Sequence, residues 1–353
     1  MAILLLTLRD LAHRRLRFAV VTLLGAMVFA LLFVMTGMVE QFRQEPVDTV
    51  DAIGADLFVI AEGVPGPFNG VSVLPATIAN PSVAADGTSF APAVFSRTSL
   101  TGETVEPDDL VLVGVQPDAL GHPAVTAGRA LAADDEVVLD ESAGASVGDT
   151  VLIGGLPLTV VGETADTTLF AGFPIAFVTL PVGQDLAFSS REVISGVLVV
   201  GELGELPPGT KAVDGPAVVE DTRRPLEGAV ASVDLVRALL WIMSGIIIGA
   251  VVYLSALERQ RDFAVLKAVG TSTRALLASL VMQSVVIALA AVAVGAVIQL
   301  GLAPAFPLRV RVPASAFWQI PLIAVVVAVL ASALGLRRVA SSDPVEAFGG
   351  AGG

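Results

Sequence analysis

Four runs of about twenty apolar residues constrain this chain more than any other feature, because a helix crossing a hydrocarbon core of about 30 Å needs that length. They lie near Phe18–Val39, Leu235–Ala256, Ala275–Leu302 and Ala316–Leu336. Of the 353 residues, 54% are hydrophobic and only 15% are charged. The chain has no Cys, which excludes disulfides and thiolate metal sites and leaves the redox compartment open. A net charge of −14 excludes a general binder of nucleic acid or other polyanions.

That average hides a partition. Residues 1–17 carry Arg9, Arg14, Arg15 and Arg17 among leucines and read as a cytosolic amphipathic helix. A cleaved signal peptide is the alternative, but the apolar run that follows, residues 18–39, is too long for an h-region and no small-x-small site clearly follows it. Residues 40–229 then hold 28 Asp and Glu against 7 Lys and Arg. The Arg-rich start places itself in the cytosol and this acidic segment outside. Within it, Asp56–Ile60, Leu110–Val115 and Val197–Val200 read as strands, and Glu40–Ile53 as a helix. Gly154-Gly155 between Val151–Ile153 and Leu158–Val161 reads as a hairpin turn. The apolar stretch Asp51–Phe68 suits either a substrate groove or a protein-binding face.

Beyond it come spans 235–256, 275–302 and 316–336, then a tail, 337–353, opening on Arg337-Arg338. Bases flank the sides assigned to the cytosol, so both termini are expected there. The expected fold is a polytopic α-helical membrane protein with four transmembrane helices and an inserted α+β extracytoplasmic domain between helices 1 and 2. Arg237, close to one end of the second span, is expected to reach the interface rather than to act as a buried charge.

Between spans two and three, residues 257–274 gather Glu258, Arg259, Arg261, Asp262, Lys267 and Arg274 around Phe263, Leu266 and Val269. Three-residue spacing of the apolar side chains gives a helix with one greasy and one charged face. Gly270 can end it and Thr271 or Ser272 can cap the next helix. Such a helix offers a contact surface to a partner in the aqueous phase.

No catalytic, metal or cofactor residue is assigned. Gly144-Ala145-Ser146-Val147-Gly148 spells G-x-S-x-G, but no His follows it and the next residues read as a turn into a strand. Gly204–Lys211 (GELPPGTK) puts two prolines where a phosphate loop needs N–H donors. Asp134-Asp135 reads as a solvated loop rather than a Ca²⁺ site. In span two, Gly245 and Gly249 form a GxxxG step suited to close packing, within the chain or in a dimer. Gln283 and Gln299 in span three suit interhelical hydrogen bonds or a transport path.

Three motifs carry a resemblance. Glu258–Ser272 (ERQRDFAVLKAVGTS) is similar to an E-R-x-R-E-I-x-x-L-R-A-x-G-A-S segment. Val147–Val151 with Val160–Gly162 is similar to a G-D-x-v…V-v-G run, and Asp343–Phe348 (DPVEAF) to D-P-x-E-A-L. Together they resemble the MacB/FtsX-type permeases of ABC transporters, lipoprotein-releasing permeases included. The departures are Asp262 for Glu and Phe348 for Leu. The resemblance implies a non-enzymatic permease working with a cytosolic ABC ATPase that binds ATP and Mg, and a dimer with a second copy or a paralogue. It makes Glu258, Arg259, Arg261, Asp262, Phe263, Leu266, Lys267 and Gly270 the ATPase-coupling helix. It further implies mechanotransmission to the outer domain, exporting or extracting a lipid, lipoprotein, peptide or drug, with an extracytoplasmic protein or substrate-binding partner left open. The alternative is a regulator that activates an outer partner such as a cell-wall hydrolase. Amino-acid uptake is a weaker reading, because no importer-like midplane site is visible in the spans.

Overall fold

In the computed structural model, which describes residues 15–80, 88–102, 108–258, 265, 272–306 and 309–340, the first span and the helical segment after it are one element. Helix α1 (Arg15–Ile53) runs unbroken with Pro46 inside it. The chain divides into two compact units: Gln41–Val230, and Met1–Glu40 with Ala231–Gly353. The boundary falls within α1, so this helix contributes residues to both.

The inserted unit holds an eleven-stranded sheet, part of which closes on itself, and a separate two-stranded ribbon. Its strands are β1 (Leu57–Ala61), β2 (Leu74–Pro75), β3 (Ser89–Gly102), β4 (Asp108–Val115), β5 (Ala127–Gly128), β6 (Glu136–Asp140), β7 (Thr150–Ile153), β8 (Leu156–Thr164), β9 (Thr168–Leu169), β10 (Phe173–Thr179), β11 (Val193–Ile194), β12 (Gly196–Val200) and β13 (Thr210–Asp214). Strands β3, β4, β10, β6, β8 and β7 pair in that order, and β7 pairs back onto β3, which closes a six-stranded barrel. The β4–β10 and β6–β8 pairs are parallel and the others antiparallel. Alternation decides which side chains fill it: Leu110 and Leu112 of β4 and Ala176 and Val178 of β10 point inward with Leu139, Ile153 and Val160. Their neighbours Val111, Val113, Ile175 and Phe177 point outward into a second core. Strands buried on both sides need apolar side chains at nearly every position, and β4 and β10 have them.

The second core is where helices dock. Val50 and Ile53 of α1 meet Phe58, Phe95, Val113 and Phe177, together with Val218 and Val219 of a later helix. Helix α2 (Leu180–Phe188) covers part of the opposite face through Leu180. Helix α3 (Gly215–Arg223) is capped by the Asp214 carboxylate, which accepts from Ala217 N–H at 2.9 Å. The hairpin between β7 and β8 turns on Gly154 and Gly155, both at positive φ, as a two-residue turn of that twist requires. Within Asp51–Phe68 the side chains of Ile53, Phe58, Val59, Ile60 and Phe68 are buried in the domain core, while Asp51, Gly54 and Asp56 are exposed and line a cleft with Val47, Val50 and Arg223.

The membrane unit comprises the first part of α1 and the helices α4 (Glu227–Glu258), α5 (Thr273–Leu302) and α6 (Ala316–Ala340). Among the described residues, four helices are long and apolar enough to cross a membrane: Ala19–Ile53, Gly215–Glu258, Ala278–Ala305 and Ala316–Ala333. Phe29, Leu32 and Phe33 of α1 pack with Ala291 and Val292 of α5 and with Ile320 and Ala324 of α6. Ile248 of α4 meets Ala288 and Ala328. Arg237 donates to Asp234 Oδ1, one turn back, at 2.6 Å.

Candidate functional site

Of the residues assigned to ATPase coupling, Glu258 is the last of α4 and is exposed. Val265 is helical and 64% exposed. Arg259, Arg261, Asp262, Phe263, Leu266, Lys267 and Gly270 lie outside the described residues. The GxxxG step of α4 faces α6 in the same chain. A Cβ on Gly245 would stand 3.3 Å from Val327 Cγ1, and one on Gly249 3.6 Å from Ala331 Cβ.

A tighter seam lies elsewhere. A Cβ on Gly295 of α5 would come within 2.7 Å of the Ala26 carbonyl oxygen and 2.9 Å of Phe29 Cβ in α1. Ala26/Ala30 and Ala291/Gly295 are matching small-xxx-small steps, a signal present in the sequence but not singled out there. Ser332 Oγ of α6 donates to the Ala328 carbonyl at 2.6 Å and stands 2.7 Å from Ser284 Oγ of α5. Gln283 and Gln299 are both buried, and Gln283 Nε2 has no hydrogen-bond partner among the described residues. The buried side chains of the membrane unit include no Asp, Glu, Lys or Arg among the described residues.

In the inserted domain the last turns of α1 are held by polar contacts as well as by the core. Glu45 is 1% exposed. Its Oε2 accepts from Ala171 N–H at 2.9 Å and its Oε1 from Gly172 N–H at 2.7 Å. One turn on, Thr49 Oγ1 donates to the Thr168 carbonyl at 2.8 Å. Arg223 of α3 donates to the Arg43 carbonyl of α1. A buried carboxylate is costly without such donors, and charge-assisted N–H bonds offset part of that cost. Asp140, fully buried at the end of β6, accepts from Ser142 N–H and Oγ and from Thr167 N–H and Oγ1. Glu136, at the start of β6, takes both guanidinium arms of Arg129 and the N–H groups of Ala132 and Ala133. The Arg129 guanidinium holds its carboxyl at about 2.

The motifs set aside in the sequence have structural places. Ser146 sits in an exposed turn whose N–H donates to Asp149 Oδ2 at 3.0 Å. In the GELPPGTK string, Thr210 donates through Oγ1 to the Pro207 carbonyl at 2.6 Å and begins β13. Asp134 accepts from Thr179 Oγ1 at 2.5 Å. No group of three metal-ligating side chains occurs among the described residues.

Four apolar helices, with a large folded domain inserted after the first, define a multi-pass membrane subunit. Residues 19–211 match the family model of the MacB-like periplasmic core domain, and residues 235–344 that of the FtsX-like permease C-terminal region. Two uncharacterized ABC transporter permeases of Mycobacterium tuberculosis are similar along their length. One is 41% identical over 344 residues and the other 39% identical over 343, each covering 97% of this chain and 98% of the relative. The chain belongs to the MacB/FtsX-type permeases of ABC transporters. The crystal structure of the periplasmic region of MacB from Actinobacillus actinomycetemcomitans is similar at 14% identity, over 51% of this chain and 99% of that one, with a TM-score of 0.33.

Proposed function

We propose that this ABC transporter permease works by mechanotransmission. A separate cytosolic ATPase, which binds the ATP and Mg, engages the segment from Glu258 to Gly270, and the resulting helix motion moves the inserted domain. The observation that carries the reading is the continuity of α1. One helix holds Phe29 and Phe33 in the membrane unit and Val50 and Ile53 in the core of the inserted domain. A second link runs from α3 through a single 3₁₀ turn, Arg224–Leu226, into α4. Helices are stiff along their axes, so displacement at one end reaches the other instead of being absorbed by a loop.

The permease acts as a dimer, with a second copy or a paralogue, and has both termini in the cytosol. Its substrate is amphipathic, in the class of lipids, lipoproteins, peptides and drugs, and is expelled or extracted outside rather than passed through a wide aqueous channel. The lack of buried Asp, Glu, Lys or Arg among the described residues of the membrane unit supports this, since a wide hydrophilic path calls for more than the few buried Ser and Gln side chains there.

The test is charge reversal at Arg259 and Arg261 together in the intact permease co-expressed with its ATPase. The double variant is expected to fold and reach the membrane but to lose coupling to the ATPase. Full transport with normal ATPase co-purification would overturn the assignment.

A further inference from the structure

We infer that Glu45 is the positioning residue that latches α1 to the inserted domain, so that the helix and the barrel move as one body. The inference rests on the mechanotransmission reading and deepens it by naming the joint.

The geometry is that of a bolt in a socket. Glu45 is three turns of helix beyond Phe33 and is almost completely buried. Its two oxygens each take one backbone N–H, from the adjacent residues Ala171 and Gly172. Two donors from consecutive residues converge on one carboxylate only where the backbone curls into an anion-binding concavity. Phe170 (φ 56°), Ala171 (φ 72°) and Gly172 (φ 108°) supply that curl. Two of these three are not glycine, and L-residues hold a left-handed conformation only where the surroundings enforce it. The carboxylate does part of that enforcing, and Arg97, whose guanidinium lies 3.8 Å from the centre of the Phe170 ring, does more.

The socket is fixed to the barrel. Thr167, four residues before Ala171, donates its N–H and Oγ1 to Asp140 Oδ2 at 2.8 and 2.9 Å, and Asp140 ends β6. Thr168 and Leu169 pair with Pro174 and Phe173 at the start of β10. Load on Glu45 therefore passes through a short loop into two adjacent barrel strands. The apolar contacts of Val50 and Ile53 resist separation of helix and sheet, but they are non-directional and permit sliding. A bidentate carboxylate does not permit it.

The chain has no Cys, so pairs of introduced cysteines can be spin-labelled without a background. The experiment uses the full permease with its ATPase in lipid nanodiscs. Labels on Asp51→Cys, in α1, and Leu156→Cys, in β8, report the distance between helix and barrel, with and without ATP-vanadate trapping. With Glu45 intact a single narrow distance is expected, unchanged by nucleotide. In Glu45→Ala, and to a smaller degree in Glu45→Gln, which loses one of two acceptors, that single distance is expected to be lost and to become nucleotide-dependent. ATP hydrolysis and ATPase co-purification are expected to stay at the level of the unmutated complex. A narrow, nucleotide-independent distance in both variants would overturn the latch. Leu156→Cys alone, read between the two copies of a dimer, tests the parent reading separately. If that distance does not respond to nucleotide with Glu45 intact, mechanotransmission fails, while loss of the narrow helix–barrel distance in Glu45→Ala still decides the latch. A Thr49→Val control, which removes a neighbouring hydrogen bond but not the carboxylate, is expected to leave the helix–barrel distance narrow.

Discussion

Gly295 of α5 and Ala26 of α1 approach so closely that a methyl group on Gly295 would stand 2.7 Å from the Ala26 carbonyl oxygen. The obstacle is backbone, which cannot rotate away as a side-chain tip can. Gly295→Val is therefore expected to force the two helices apart, at about 1–3 kcal/mol, the usual cost of overpacking. Gly249→Ala, with its nearest neighbour at 3.6 Å, is expected to change stability little. Thermal unfolding of the detergent-solubilised permease, followed by size-exclusion fluorescence, should rank Gly295→Val well below Gly249→Ala. The reverse order would mean that the GxxxG step of α4 is the critical seam.

How much of this was legible in the sequence depends on how local each cause is. The spans could be read because about twenty apolar residues in a row have few other uses. The Gly154-Gly155 hairpin was equally plain, since its turn demands residues that tolerate positive φ. Barrel closure was hidden. The β4–β10 and β3–β7 pairs join segments dozens of residues apart, and no local pattern specifies a register between such partners. The socket for Glu45 was hidden for another reason. Phe170 and Ala171 adopt left-handed backbone without the glycine that would announce it. The unbroken course of α1 was masked at Val39–Glu40, where the apolar run ends, because hydropathy marks the length of a span and not the helix that continues past it.

Asp140 tests how the barrel end is held. Its carboxylate accepts from Ser142 N–H at 2.9 Å, Ser142 Oγ at 2.6 Å, and Thr167 N–H and Oγ1 at 2.8 and 2.9 Å. An Asn side chain has one oxygen, so Asp140→Asn turns an NH₂ toward donors. The expected loss is about 2–4 kcal/mol, since buried donors are left unsatisfied. Hydrogen exchange should show the loss first as faster exchange at residues 164–172, before any change in the membrane helices.

Leu112 tests whether the barrel interior is a packed core. It is 0% exposed and surrounded by Leu110, Leu139, Ile153 and Val178. Leu112→Ala is expected to cost about 2–5 kcal/mol by leaving a cavity among side chains that cannot collapse inward. Leu156→Ala, at 38% exposure beside the hairpin turn at the start of β8, is expected to change stability by less than about 0.5 kcal/mol. Unfolding midpoints of the two variants in the full chain give the comparison. Similar midpoints would mean that the interior is loosely filled and yields to a lost side chain.

Glu136 gives a pH dependence with a definite sign. Arg129 and the N–H groups of Ala132 and Ala133 all favour the ionised carboxylate, so it titrates at about 2 in the folded domain. In the unfolded chain a Glu titrates at about 4.3. A folded value below the unfolded one means that the unfolded state binds the proton more tightly. The stabilisation is thus fully present above the unfolded value and disappears as pH falls through the window between the two. Glu136→Gln removes the titration and should be less stable than the unmutated permease near neutral pH, with the gap between their unfolding midpoints closing on acidification to about pH 2. Melting both proteins from pH 7 downward in one detergent measures it. A gap that stays constant across the window would show that the Arg129 contact contributes shape rather than charge.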